Sequence, residues 1–141
     1  MQSLNIHSDI IAWGDTCSFV FPIRQGQVIK VYDGDTITIA AYMPYAESPL
    51  FRFSVRLNGI DSPEIKGHSE EEKAAAKKSR SALNDKLLHR VVTLTNVQTE
   101  KYGRILADVY LEDLHINQWL LDNHYAVKYD GGTKNGFQTP V

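Results

Sequence analysis

Three short clusters carry most of the chemistry this chain could perform: Asp33-Gly34-Asp35-Thr36, the run from Arg56 through Asp61-Ser62-Pro63-Glu64, and Lys101-Tyr102-Gly103-Arg104. They supply the carboxylates of Asp33, Asp35, Asp61 and Glu64, the guanidinium groups of Arg56 and Arg104, and the Lys101 ammonium. A hard cation such as Ca²⁺ takes about six to eight oxygen ligands, commonly carboxylates, carbonyls and water. Guanidinium groups answer the charge that builds on phosphorus oxygens during diester cleavage, through bidentate hydrogen bonds that lysine cannot make. The set therefore points to a metal-dependent phosphodiesterase, and among these to a nuclease.

Each residue has a plainer reading to weigh. An aspartate in an Asp-Gly turn is usually there for turn chemistry, and for Asp33 that reading is the stronger. Asp35 sits at a hairpin turn and Asp61 closes the third strand; barrel closure is expected to bring these ends together, and as a pair the two are favoured as metal carboxylates. Glu64 lies three residues past Asp61 behind Pro63, whose fixed φ limits the path of the chain; from there it can hold or deprotonate a water. A lone arginine most often makes a structural salt bridge, but Arg56 and Arg104 flanking three acids favour a phosphate clamp. Lys101 and Tyr102 suit a neighbouring phosphate or sugar about as well as they suit plain surface. The lysines of Lys73 to Arg80 read as the solvated face of a helix, and Trp13 and Trp119 as core residues.

The elements that must position these groups follow from the hydrophobic pattern. Val28–Tyr32 and Thr36–Ala40 are β-branched runs around the Asp-Gly turn, which reads as a hairpin. Met43–Leu50, with Pro44 and Pro49, reads as a loop. Phe51, Phe53, Val55 and Leu57 then alternate with polar residues, which puts Arg56 on the opposite face from those four. Ser69 to Leu88 reads as a helix opened by a Ser69/Glu72 capping box, with acids in its first turn and a narrow apolar stripe of Ala76, Leu83 and Leu87. Val91–Thr95 and Ile105–Leu111 read as strands, and about His115 to Tyr125 as a second helix. The expected fold class is α+β: a five-stranded OB-type barrel with two or three helices. The expected division is an N-terminal extension at 1–24, which packs on the domain or adds an edge strand, a barrel domain at 25–129, and a flexible tail at 130–141.

Bulk properties exclude several alternatives. The 141 residues suffice for one domain with a core. A net charge of −2 means that no general basic coat is available for nucleic acid, so any phosphate binding must be local. One cysteine forbids an internal disulfide, and five histidines without HxxxH spacing argue against structural zinc. No apolar run approaches a membrane span and the first residues do not read as a signal peptide. The expected location is intracellular, or the host cytoplasm if the source is viral.

Val31 through Thr36, Arg56 through Glu64, and Lys101 through Arg104 resemble, in type, order and spacing, the motifs of the staphylococcal nuclease (thermonuclease) family. The resemblance covers about Gln27 to Val127, and the segment Ala126 to Gly132 is similar to members from large DNA viruses, phages and some bacteria. It implies an OB-fold barrel and calcium-dependent cleavage of DNA and RNA that leaves 5′-hydroxyl and 3′-phosphate ends. By the same resemblance Asp35, Asp61 and the Ser62 carbonyl bind Ca²⁺, Asp33 is an outer acid, and Glu64 is the general base. Arg56 and Arg104 clamp phosphate, Lys101 and Tyr102 contact a terminal phosphate, and Leu106 lines a base pocket. Ser62 stands where threonine is common, and the lysine-rich loop after Glu64 is shortened to Ile65-Lys66-Gly67-His68. Tyr129 is near the family's base-stacking tyrosines without a fixed register.

Two other functions remain to be separated from catalysis. One is a binding module for nucleic acid or peptide on the same barrel, which typically loses some of the acids or arginines; here all are kept. The other is self-association through residues 1–24, which is compatible with catalysis.

Overall fold

A computed structural model of the chain describes residues 3–5, 9–64 and 66–129. In chain order the described elements are strands β1 (Gln25–Asp33), β2 (Thr36–Tyr42), β3 (Leu50–Leu57) and β4 (Ile60–Asp61), helix α1 (Glu70–Leu87), strands β5 (Val91–Thr99), β6 (Ile105–Leu111) and β7 (Leu114–His115), helix α2 (Ile116–Asp122) and strand β8 (Val127–Lys128). Strands β3, β2, β1, β5 and β6 pair in that order, and a parallel pairing of β3 with β6 closes them into a five-stranded barrel. With two α-helices packed on it, this is the expected OB-type α+β fold.

Alternation dictates which side chains fill the barrel. Val55 and Leu57 of β3, Ile37 and Ile39 of β2, and Ile105, Ala107 and Val109 of β6 are buried to within 1% exposure. On β1 the inward residues Val28 and Val31 are three apart, because the β1–β2 register shifts between Val28 and Lys30 and again between Val31 and Asp33. Such bulges sharpen strand twist, which a small closed barrel needs. Leu83 and Leu87 of α1 and Ile116 and Leu120 of α2 complete the same core. Each fully buried aliphatic side chain contributes about 1.5–3 kcal/mol.

Local chemistry sets the helix ends. Ser69 caps α1 by accepting a hydrogen bond from the Glu72 N–H at 3.0 Å, as the capping signal predicts. Asn117 of α2, 3% exposed, accepts from the Val109 N–H at 2.9 Å and donates to the Asn58 carbonyl at 2.8 Å. One buried amide thus ties α2 to β6 and to the turn that leads into β4.

The N-terminal extension differs from the expectation in part. Phe21 packs on the core and Ile23 is buried, but no strand forms among its described residues. Trp13 is 94% exposed rather than in the core, because it lies in a short 3₁₀ turn that does not reach the barrel. Trp119 does pack against the core. The expected tail at 130–141 lies outside the described residues. Among the described residues no helix is long and apolar enough to cross a membrane.

Candidate active site

The hairpin turn between β1 and β2 brings Asp33 and Asp35 to the barrel rim, and β3 brings Arg56 opposite Thr36. β4 follows at once and adds Asp61 and Ser62. Gly34 makes this convergence possible: a Cβ there would stand 2.8 Å from the Cβ atoms of both Ser62 and Ser79. Ser79, from α1, donates to the Tyr125 carbonyl at 2.6 Å and so ties the helix to the segment entering β8.

Arg56 bridges the two central carboxylates. Its Nη1 lies 3.2 Å from Asp35 Oδ2 and its Nη2 3.5 Å from Asp61 Oδ1, with side chains 13%, 9% and 10% exposed respectively. Asp35 also accepts from the Ser62 N–H at 3.0 Å and from the Thr36 hydroxyl at 2.9 Å. Asp33 accepts from the Asp35 N–H at 3.1 Å, the turn bond its sequence position suggests.

The titration of these acids is split. Burial, then the adjacent Asp35 carboxylate, pushes Asp33 up from 3.8 to about 7. Burial opposes ionisation of Asp35 too, but hydrogen bonds from Asp33, Ser62 and Thr36 and the Arg56 charge outweigh it and hold that carboxyl below its ordinary value. Three acids against one bridging guanidinium leave an excess of negative charge, which adds to burial in raising Asp33.

That excess is the test of whether a cation fits. The donors are all oxygen, as a hard cation requires, and a bound cation would relieve the crowding of Asp33 and Asp35. Among the described residues no three His, Cys, Asp or Glu side chains converge as a ready-made metal cage. Asp35 and Asp61, with Arg56 between them, fit Ca²⁺ in charge and donor type.

The remaining sequence candidates lie around this centre. Arg104 opens β6 and is held by Glu100, its Nε at 2.5 Å and its Nη2 at 3.0 Å from the two carboxylate oxygens. The Glu100 hydrogen bond raises the Arg104 pKa, and the charges of Asp35 and Asp33 add to it, so Arg104 lies within the field of the acids. Leu106 stands beside Arg56 on the β3–β6 ladder. Lys101 and Tyr102 sit exposed at the β5–β6 turn, the ammonium 5.6 Å from the ring centroid. Glu64 is exposed on the segment between Ser62 and α1, and its carbonyl accepts from the Gly67 N–H at 3.0 Å.

Sequence reasoning left out the roles of Thr36 and Glu100 and named Tyr129 without fixing its register. Thr36 donates to Asp35, and Glu100 forks onto Arg104; an acid four residues before the arginine was the signal for the latter. Tyr129 has its N–H bonded to the Gly59 carbonyl at 2.9 Å, and its ring centroid is 5.6 Å from the Arg56 guanidinium carbon. The β4–β8 pairing, Asp61 opposite Val127, is what brings it there.

A closed five-stranded barrel with carboxylates and arginines gathered on its rim defines an OB-fold protein with a charged site. The profile of the staphylococcal nuclease homologue family matches residues 54–139, and the chain belongs to that family. An uncharacterized endonuclease of Escherichia coli is 29% identical over 122 residues, which are 86% of this chain and 69% of the relative. An uncharacterized endonuclease of Haemophilus influenzae is 30% identical over 103 residues, 73% of this chain and 51% of the relative. Protein ParB of Escherichia coli is 31% identical over 87 residues, 62% of this chain and 42% of the relative.

Proposed function

We propose that the protein is a calcium-dependent nuclease that hydrolyses phosphodiester bonds of DNA and RNA at the Asp35–Arg56–Asp61 rim. The observation that carries this reading is Arg56 bridging two buried carboxylates on the barrel rim of a chain from a nuclease family. Relatives from Escherichia coli and Haemophilus influenzae bear the name endonuclease, which supports it.

Asp35, Asp61 and the Ser62 carbonyl would hold Ca²⁺, which when bound supplies a local positive charge that polarises the phosphate and acidifies a nearby water. Asp33 supports Asp35 from behind. Glu64 takes the proton of the attacking water as general base. Arg56 and Arg104 hold the phosphorus oxygens as charge builds on them, with Glu100 fixing the Arg104 fork. Water bonds to phosphorus, the bond to the 5′ oxygen breaks, and that oxygen takes a proton from solvent and leaves as a hydroxyl, with phosphate retained on the 3′ side. Leu106 and Tyr129 flank Arg56 where a base or sugar would lie, and Lys101 and Tyr102 receive a terminal phosphate.

The test is incubation of purified protein with single-stranded DNA, duplex DNA and RNA in Ca²⁺, in Mg²⁺ and in chelator, with analysis of the ends. Cleavage in Ca²⁺ that stops in chelator and leaves 5′-hydroxyl ends supports the reading. A folded protein that binds these substrates and cuts none of them is a binding module instead. Self-association through residues 1–24 is a companion proposal, supported by Ile10 at 98% and Trp13 at 94% exposure. Sedimentation of the wild type against Ile10→Ser/Trp13→Ser checks it, and an identical monomer mass for both ends it.

A further inference from the structure

We propose that the chain pairs with a second copy of itself by exchanging N-terminal arms, Trp13 of each copy seated in the cleft between residues 20–24 and β5 of the other. The proposal rests on the companion reading of self-association, to which it gives a seat and a symmetry, and is independent of the nuclease reading.

The cleft is a gap in a strand ladder. Residues 19–24 continue the register of β1 along β5. Gln25 pairs with Thr93, the Arg24 carbonyl accepts from the Leu94 N–H at 2.8 Å, and the Phe19 carbonyl accepts from the Thr99 hydroxyl at 2.7 Å. Between these two ties, among the described residues, no backbone bond joins 20–23 to 95–98. Two local features open the gap. Pro22 has no N–H to give to a ladder. β5 is irregular between Thr95 and Gln98, with Asn96 at a φ of 50°, and a bulge leaves its extra residue unpaired. The result is a cavity of about 330 Å³ between residues 20–24 and 94–97. A cavity of about 150 Å³ holds one benzene ring, so this one has room for an indole. Phe21, Ile23, Leu94 and Val97 make its walls apolar. Among the described residues nothing donates to the carbonyls of residues 20–23, so an acceptor waits for the indole N–H.

Trp13 is the indole that fits. It is 94% exposed, and Ile10 on the same arm is 98% exposed. Its backbone is nevertheless fixed. Asp15 accepts from the Ala12 N–H at 2.9 Å, the Asp15 N–H donates to the Ala12 carbonyl at 3.0 Å, and the Thr16 hydroxyl donates to the Trp13 carbonyl at 2.7 Å. A ring presented by a pre-formed turn loses less freedom on docking than one on a loose chain. Charge is complementary as well: the arm carries Asp9 and Asp15, while Arg24 at the cleft is exposed and has no ion-pair partner among the described residues. Area selects the partner. One arm in one cleft removes roughly 600 Å² from water, with Trp at about 150–250 Å² and the covered surface counted, which is the size of a crystal contact. Exchange of two arms doubles this to roughly 1,200 Å², where stable interfaces begin. A two-fold pair achieves that doubling with one kind of contact.

The experiment is sedimentation equilibrium of the full chain over a concentration series, with tryptophan emission read on the same samples. Wild type is compared with Trp13→Ala, with Val20→Asp in the cleft, and with Tyr45→Ser, an exposed aromatic of the loop between β2 and β3. Wild type should dimerise, its emission moving to the blue as the dimer forms; Trp119, packed on the core, gives a constant background. Trp13→Ala and Val20→Asp should each weaken the dimer about a thousandfold, two contacts at about thirtyfold each. Mixed together, these two variants should pair about thirtyfold more weakly than wild type, because one arm still meets one intact cleft. Tyr45→Ser should dimerise as wild type does. Trp13 is exposed, so Trp13→Ala keeps the fold and carries the test with the emission shift if Val20→Asp unfolds. A dimer lost in Trp13→Ala and kept in a folded Val20→Asp would leave self-association standing and remove the cleft as its seat. A blue shift independent of concentration, no pairing in the mixture, or an equal loss in Tyr45→Ser would each overturn the exchange. A wild type that stays monomeric would end both it and the self-association reading.

Discussion

The two faces of β3 bury different things. Inward, Val55 and Leu57 are 0% exposed among aliphatic neighbours. Outward and between them, Arg56 is 13% exposed and ion-paired to two carboxylates. The inward face stabilises the fold by removing apolar area from water. The outward face does not obviously stabilise anything, since desolvating three charges costs several kcal/mol per ion and their attraction roughly offsets that. Charged groups held at a rim without a net gain in stability are expected where chemistry needs them. The two faces should therefore respond to substitution in opposite ways.

The largest effect should fall on activity alone. Arg104→Ala should lower kcat about a thousandfold, the equivalent of about 4 kcal/mol in the barrier. Its urea midpoint should barely move, because a partly exposed pair such as Arg104–Glu100 is worth under about 1 kcal/mol. Parallel kinetics and unfolding curves check this, and a large stability loss with kcat retained would erase the contrast. Next comes the inverse case: Leu57→Ala should lose about 3 kcal/mol of unfolding free energy while the folded fraction keeps its kcat.

Gly34 sits on the border between the two regions, so Gly34→Ala should affect both. Its Cβ would meet Ser62 and Ser79 at 2.8 Å, which predicts a loss of about 2 kcal/mol and a lower kcat. Ser79→Gly alone should destabilise, because it removes the hydroxyl that donates to the Tyr125 carbonyl and puts a glycine inside α1; in the Gly34→Ala background it should cost less, because there it also removes one of the two clashes. An equal cost in both backgrounds would mean that contact with Ser79 does not set the requirement at position 34.

The smallest effect is a pH dependence of the metal-free protein. Asp33 has a folded value of about 7 against 3.8, so the folded state binds more protons between those values. Its contribution to stability is complete below about pH 3.8 and is lost as pH rises through about 7. Asp35, shifted down, acts the opposite way: its contribution is present above 3.8 and lost at lower pH. In chelator, Asp33→Asn should flatten the fall in stability between about pH 4 and 7, as thermal unfolding across that range would show. An unchanged slope would place the excess charge elsewhere.

Much of this contrast was legible in the chain. Strict alternation from Phe51 to Leu57 set the two faces of β3 and put Arg56 outward, and the Asp-Gly turn placed Asp33 and Asp35 at a strand end. Ser69 marked the start of α1. What was illegible depended on pairings too short or too distant for a period to show. Tyr129 reaches Arg56 through the two-residue strands β4 and β8, which carry no hydrophobic pattern. The bulges of β1 exist only as a mismatch with β2, so the exposure of Tyr32 could not be read from β1 alone. Trp13 was expected in the core on hydrophobicity, but residues 1–24 lack the periodicity that would aim a side chain at the barrel.

The central claim is that the charged rim is there for catalysis, and Glu64→Ala tests it most directly, with turnover of single-stranded DNA in Ca²⁺ and unfolding free energy measured on the same preparation. The account predicts a kcat about a thousandfold lower with stability within about 1 kcal/mol of wild type. Near-wild-type turnover in that variant would contradict it.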